Sequence, residues 1–137
     1  MTCFAVIDTN VVVSSMLVRL SIPDRIISYV INGTVIPLLN QEILAEYKEV
    51  LERKDFGFDP ADIASLINTF QNKAIRLERI ATDMPFIDPD DAVFYEVVMA
   101  ARNAGIEAFL ITGNTRHFPA EPFVITPREA LERIEKS

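Results

Sequence analysis

The sequence predicts an α/β protein built on a parallel sheet covered on both faces. Apolar runs of strand length alternate with longer segments whose apolar residues recur at helical spacing. Two of those runs, residues 3–7 and 108–112, lack the polar alternation of a half-exposed strand, as strands buried on both faces do. Each ends abruptly in small polar residues, Asp8-Thr9-Asn10 and Thr112-Gly113-Asn114. In an open parallel sheet, ligands bind beyond the carboxyl ends of strands.

Taken in order, residues 3–7 form the first strand, and a helix over about 11–18 follows, capped by Thr9 or Asn10. Ser21-Ile22-Pro23-Asp24 opens a second helix over 24–32, which Asn32-Gly33 ends. Residues 34–39 form the second strand, where Pro37 implies an interruption or an edge position. Asn40 caps a helix over 41–54, and Asp59-Pro60 starts another with Ile63, Leu66, Ile67 and Phe70 on one face. Residues 75–80 alternate, which suits a short half-exposed strand or a helix end alike. Asp88-Pro89-Asp90-Asp91 opens an apolar helix to about Asn103, stopped by Gly105. Strands over 108–112 and 123–125 follow. Thr126-Pro127-Arg128-Glu129 is a capping box that starts the last helix.

The 137 residues suit one domain over 1–137, and half are hydrophobic, enough for a core without staples. The single cysteine, Cys3, excludes an intramolecular disulfide framework and a multi-cysteine zinc site; it reads as a small buried apolar residue. No basic n-region precedes a long apolar core, and no apolar run approaches the ~20 residues that cross a bilayer. The expectation is a soluble, cytoplasmic protein without a membrane partner. A net charge of −7 argues against a general electrostatic grip on phosphate backbones. It leaves room for a basic partner, and for a nucleic-acid enzyme whose clustered acids are neutralised by divalent cations.

Four places could carry chemistry. Asp8 stands at a strand's carboxyl end, where it reads alike as a ligand and as a helix cap. On the helix over 41–54, Ile43, Leu44, Tyr47, Val50 and Leu51 form the apolar stripe. Glu42, Glu49 and Glu52 fall on the solvated face, with Glu49 and Arg53 as an i,i+4 pair, while Glu46 lies at the margin and can reach inward. Asp88 suits an N-cap, yet Asp90 and Asp91 both fall on or beside the buried side of their helix, and a cap alone does not require three acids. Asn114 presents a neutral oxygen after Thr112-Gly113, which is also plain turn chemistry. Oxygen ligands without cysteine, and with His117 the only histidine, suit Mg²⁺ or Mn²⁺. Such ions polarise a phosphodiester and lower the pKa of a bound water, the chemistry of metal-dependent phosphodiester hydrolysis.

With these pieces in this order, nearly the whole chain resembles the PIN-domain family. The residues that carry the resemblance are Ile7-Asp8-Thr9-Asn10, Glu42-Ile43-Leu44-Ala45-Glu46-Tyr47, Asp88-Pro89-Asp90-Asp91-Ala92 and Leu110-Ile111-Thr112-Gly113-Asn114. The stretch from Thr112 to Pro119 is similar to a branch of the family with Thr-Gly-Asn and His-Phe-Pro there. The resemblance implies a Rossmann-like three-layer α/β/α sandwich with a central, mainly parallel sheet of four or five strands. It implies a Mg²⁺- or Mn²⁺-dependent ribonuclease that cleaves single-stranded or structured RNA, with Asp8, Glu46 and Asp91 as metal ligands, Asp91 being preferred to Asp90 because Ala92 completes an Asp-Ala pattern. Asn114 takes a catalytic position where many members have Asp, a departure that weakens a second metal position; Asp88 could substitute in part. Thr9 and Thr112 would orient carboxylates or bind phosphate, and Arg19, Arg25, Arg116 and His117 would supply a basic rim for RNA. Small members are often toxins of type II toxin–antitoxin pairs, commonly homodimers held inactive by an antitoxin protein. The competing reading is a catalytically weak or inactive PIN-like module that binds RNA or protein. A haloacid-dehalogenase-like phosphatase needs an acid where Asn10 stands, and a dinucleotide-binding domain needs a Gly-x-Gly turn that is lacking.

Overall fold

The computed structural model describes residues 2–136. Five parallel strands form one sheet in the order β3-β2-β1-β4-β5: β1 Cys3–Ile7, β2 Val35–Leu39, β3 Ile75–Arg76, β4 Ala108–Ile111 and β5 Val124–Ile125. Among the described residues six α-helices flank it: α1 Thr9–Leu17, α2 Ile22–Ile31, α3 Gln41–Leu51, α4 Pro60–Lys73, α5 Ala92–Asn103 and α6 Pro127–Lys136. The chain leaves β1 in one direction to build β2 and β3, then crosses back to build β4 and β5 on the other side. Right-handed crossovers running in opposite directions put their helices on opposite faces. Accordingly α5 packs on β1, β2 and β4, while α2 packs with α1, α4, α6 and β2. The expected α/β sandwich with a parallel sheet is therefore observed. No helix among the described residues is long and apolar enough to cross a membrane.

The apolar strands are buried as their composition requires. Ala5, Val6 and Ile7 of β1, Leu38 and Leu39 of β2, and Leu110 and Ile111 of β4 are all wholly inaccessible. Several caps act as the sequence implies. Ser21 accepts from the Asp24 N–H at 3.3 Å, Asn40 from Ile43 N–H at 2.9 Å, and Asp59 from Ala61 N–H at 2.8 Å. Thr126 and Glu129 exchange reciprocal bonds of 3.0 and 3.1 Å, closing the capping box before α6.

Five expectations are changed or sharpened. Neither Thr9 nor Asn10 caps α1: Asp8 occupies the cap position, Thr9 is already helical, and no side-chain cap bond forms there. Pro37 does not put β2 at the edge. β3 pairs only with Leu38 and Leu39, so at Pro37 the strand has β1 alone beside it and the missing N–H is tolerated. The ambiguous stretch 75–80 forms only the two-residue edge strand β3. Residues Pro89–Asp91 form a 3₁₀ turn before α5, and Cys3 is only half-buried.

Candidate functional site

The strand order reverses between β1 and β4, and a cleft of about 820 Å³ opens beyond their carboxyl ends. Asp8, Thr9, Glu46, Asp88, Asp90, Asp91, Asn114 and His117 all line it. The acids come from residues far apart in the chain, brought there by the end of β1, by α3 and by the turn before α5.

Asp8 is delivered by β1, which is locked on either side. Its N–H donates to the Ile111 carbonyl at 2.9 Å, in register with β4. Below it, the wholly buried Tyr47 of α3 donates its hydroxyl to the Ile7 carbonyl. A buried phenol needs such a partner, and this one ties α3 to the strand end that carries Asp8. Replacing Tyr47 by Phe should leave the Ile7 carbonyl without that donor and cost about 1–2 kcal/mol. A lower urea midpoint with an unchanged slope would register it.

Asp8 is 6% exposed, and its carboxylate accepts from the Thr112 hydroxyl at 2.7 Å. Thr112, wholly buried, also receives the Asn114 N–H at 3.0 Å, so one hydroxyl organises both strand ends. Burial pushes the Asp8 carboxyl above its usual range, against the pull of the Thr112 hydroxyl, the Thr9 N–H and the His117 charge.

Glu46, half-buried on the inner margin of α3, accepts from the Thr9 hydroxyl. Thr9 is thus a positioning residue that aims a carboxylate. Burial raises the Glu46 carboxyl, the Thr9 hydroxyl holds it back, and the charges of Asp8, Asp90 and Asp91 raise it further.

The three acids before α5 part ways. Asp88 spends an oxygen on the Asp90 N–H at 3.0 Å, and both side chains are exposed. Asp90 therefore does not lie on the buried side. Asp91 alone turns inward; its side chain is 17% exposed, and its Oδ2 is buried without a hydrogen-bond partner. Burial, then the charges of Asp8 and Asp88, push its carboxyl from 3.8 up to about 6. His117 Nδ1 stands 3.5 Å from that oxygen, near enough to pull the carboxyl back and too far for a good hydrogen bond.

The cleft thus gathers three carboxyls whose pKa is raised first by burial, with the Asp8 charge raising both Glu46 and Asp91, around one buried oxygen without a hydrogen-bond partner. Buried polar atoms without a partner are uncommon, and a cation is one of the things that satisfies them. The donor set, oxygen only, fits a hard divalent ion. Among the described residues, no three acidic, histidine or cysteine side chains already stand close enough together to enclose an ion.

The basic rim differs from expectation. Of Arg19, Arg25, Arg116 and His117, only His117 lines the cleft. Arg25 pairs with Glu135 at 2.5 Å, Arg19 lies in a groove beside α4, and Arg116 projects into solvent from the turn after β4. The cleft's arginine is Arg53, held by Glu49 at 3.0 Å; this pair is the solvated i,i+4 pair the sequence implies, and it also borders the cleft. Asn10, read from the sequence as a cap and as part of the strand-end motif, accepts the Gly113 N–H at 3.2 Å and fastens α1 to the turn after β4. A Cβ on Gly113 would lie 3.5 Å from that same Asn10 oxygen, so the two loops sit in van der Waals contact. Phe56 also lines the cleft, and nothing in the periodicity of its loop marks it.

A comparison with curated proteins yields no match. Among family models, residues 5–116 match that of the PIN domain, a span that runs from β1 through the turn after β4 and includes every acid of the cleft.

Proposed function

The chain belongs to the PIN-domain family, whose members are in general nucleases that typically use divalent metals, and from that premise we propose that it is a Mg²⁺- or Mn²⁺-dependent endoribonuclease. The observation that carries the reading is that Asp8, Glu46 and Asp91 line one cleft at the switch point, with Asp91 Oδ2 buried and without a hydrogen-bond partner. Their carboxylates would hold the ion. A divalent ion bound there supplies Lewis-acid polarisation of the phosphodiester and a water of lowered pKa.

The chain's own residues would do the rest. The Thr112 hydroxyl fixes one Asp8 oxygen, leaving the other to a ligand. The Thr9 hydroxyl does the same for Glu46. The Arg53 guanidinium and the His117 ring line the cleft and would meet the backbone of a passing RNA. The net charge of −7 and the acidic cleft also suit a basic protein partner, and we extend the proposal to a toxin, active as a homodimer and restrained by an antitoxin. One observation favours a binding module instead: Asn114 lines the cleft as a neutral amide.

Crystals soaked in Mn²⁺ separate the two readings. The nuclease reading expects one anomalous peak bounded by Asp8, Glu46 and Asp91. Its absence at millimolar Mn²⁺ and neutral pH would leave the module.

A further inference from the structure

An ion and a phosphate need only the acidic end of the cleft. The cleft also has apolar lining, from Val13 of α1, Val50 of α3 and Phe56 of the loop after α3, beside the Glu49–Arg53 pair. A nucleotide joins the two characters, with charge on the phosphate and an apolar, stacking face on the base. A cavity of this size falls in the range that holds a small organic ligand, of about 300–1,000 Å³.

Phe56 is built to present a ring. It stacks on Phe58 with centroids 5.4 Å apart and planes 11° from parallel. Gly57 between them sits at φ +64°, where a side chain is strained, and the two rings lie near-parallel and offset on either side of it. Phe58 lines the separate groove between α3 and α4, so the stack divides that groove from the cleft. One side of the Phe56 ring is thus supported by Phe58, and Phe56 itself borders the acids' cleft. Arg53, three residues earlier, is tied back by Glu49 at the same wall.

The geometry points to Phe56 as a stacking platform for a base that flanks the scissile phosphate, extending the Phe58–Phe56 pair to a three-ring stack. The inference rests on the nuclease reading and adds to it a base-binding residue, which a base free to stack can use. A duplex holds its bases away from such a wall. Base–aromatic stacking is insensitive to base identity, so Phe56 would confer strand-state selectivity and little sequence preference.

Phe56→Leu keeps apolar bulk at the core's margin and removes the ring face; a circular-dichroism melt checks that it folds. On a short single-stranded RNA with Mn²⁺, its KM should rise about fivefold to a hundredfold, with kcat little changed. On the same RNA carrying an abasic residue beside the scissile phosphate, wild type and Phe56→Leu should have equal KM. Phe56→Trp should restore the wild-type KM on the intact strand. An unchanged KM for Phe56→Leu, or a rise just as large on the abasic strand, reduces Phe56 to packing and overturns the inference while the nuclease reading stands. If wild type cleaves nothing, the nuclease reading has failed, and 2-aminopurine in the same RNA then decides the stack. Quenching on binding to wild type and not to Phe56→Leu supports it; no difference overturns it.

Discussion

Asp8→Asn is expected to reduce Mn²⁺-dependent RNA cleavage by about a hundredfold or more, while the domain stays folded. The magnitude follows from removing a preorganised charge at the centre of a reaction that depends on electrostatic stabilisation. Asn has the shape of Asp and can still accept from the Thr112 hydroxyl, which lies 2.7 Å from the native carboxylate. The strand end is therefore kept, and only the charge is lost. Stability should not suffer, because burial disfavours the ionised form of Asp8 and pushes its carboxyl up. The measurements are cleavage of a labelled RNA over a Mn²⁺ series and a thermal melt in chelator. Equal cleavage by Asp8→Asn and wild type would remove Asp8 from the chemistry; a collapsed melt would make it a structural residue.

Why could Asp8 be read from sequence, and Phe56 not? Asp8 ends an apolar run, and a run buried on both faces has only its end to offer to solvent. Period and sequence position together place it. Glu46 was legible as the acid nearest the apolar stripe of α3, since helical angles fix the face of every residue on a straight helix. Among Asp88, Asp90 and Asp91 the same reasoning falters. The turn there is 3₁₀, with three residues to a turn, so a 100° projection from α5 misplaces Asp90. Its side chain is exposed, and Asp91 alone turns inward. Loop residues carry no period at all. Phe56, Gly57 and Phe58 show their arrangement only through a left-handed glycine and a ring stack. The rim was misread for a related reason. Long arginine side chains go to the nearest acid, and Arg25 found Glu135, 110 positions away in the chain. Pro37 misled because an edge in the hydrogen-bonding sense need not be an edge of the sheet: a two-residue β3 leaves part of β2 without a neighbour on that side.

The same crowding of acids makes the site costly in the absence of a cation, and pH should expose that cost. A carboxyl whose pKa is higher folded than unfolded binds its proton more tightly in the native state, so protonation favours the fold. For Asp91, raised from 3.8 to about 6, stability is present at low pH and is lost as pH climbs between about 4 and 6. Asp8 and Glu46 are raised as well and act in the same direction. Glu96 and Glu129 are lowered, and they cost stability only as pH falls below the ordinary carboxylate range. Between pH 5 and 7 the cleft acids should therefore decide the slope, and the melting temperature of the chelated protein should fall as pH rises. The full Asp91 shift would be worth about 3 kcal/mol. Solvent at the mouth of an open cleft screens it, leaving a cost on the order of 1 kcal/mol. Asp91→Asn should recover that amount at pH 7, a gain of a few degrees in Tm, and should flatten the slope between pH 5 and 7. Mn²⁺ at pH 7 should raise the Tm of wild type, and do so less at pH 5.5, where protons compete for the same oxygens. On Asp91→Asn the ion should have little effect at either pH. A chelated wild type whose Tm stays level or rises from pH 5 to 7 would mean that the carboxylates do not burden one another, and the case for a cation between them would lose its electrostatic ground.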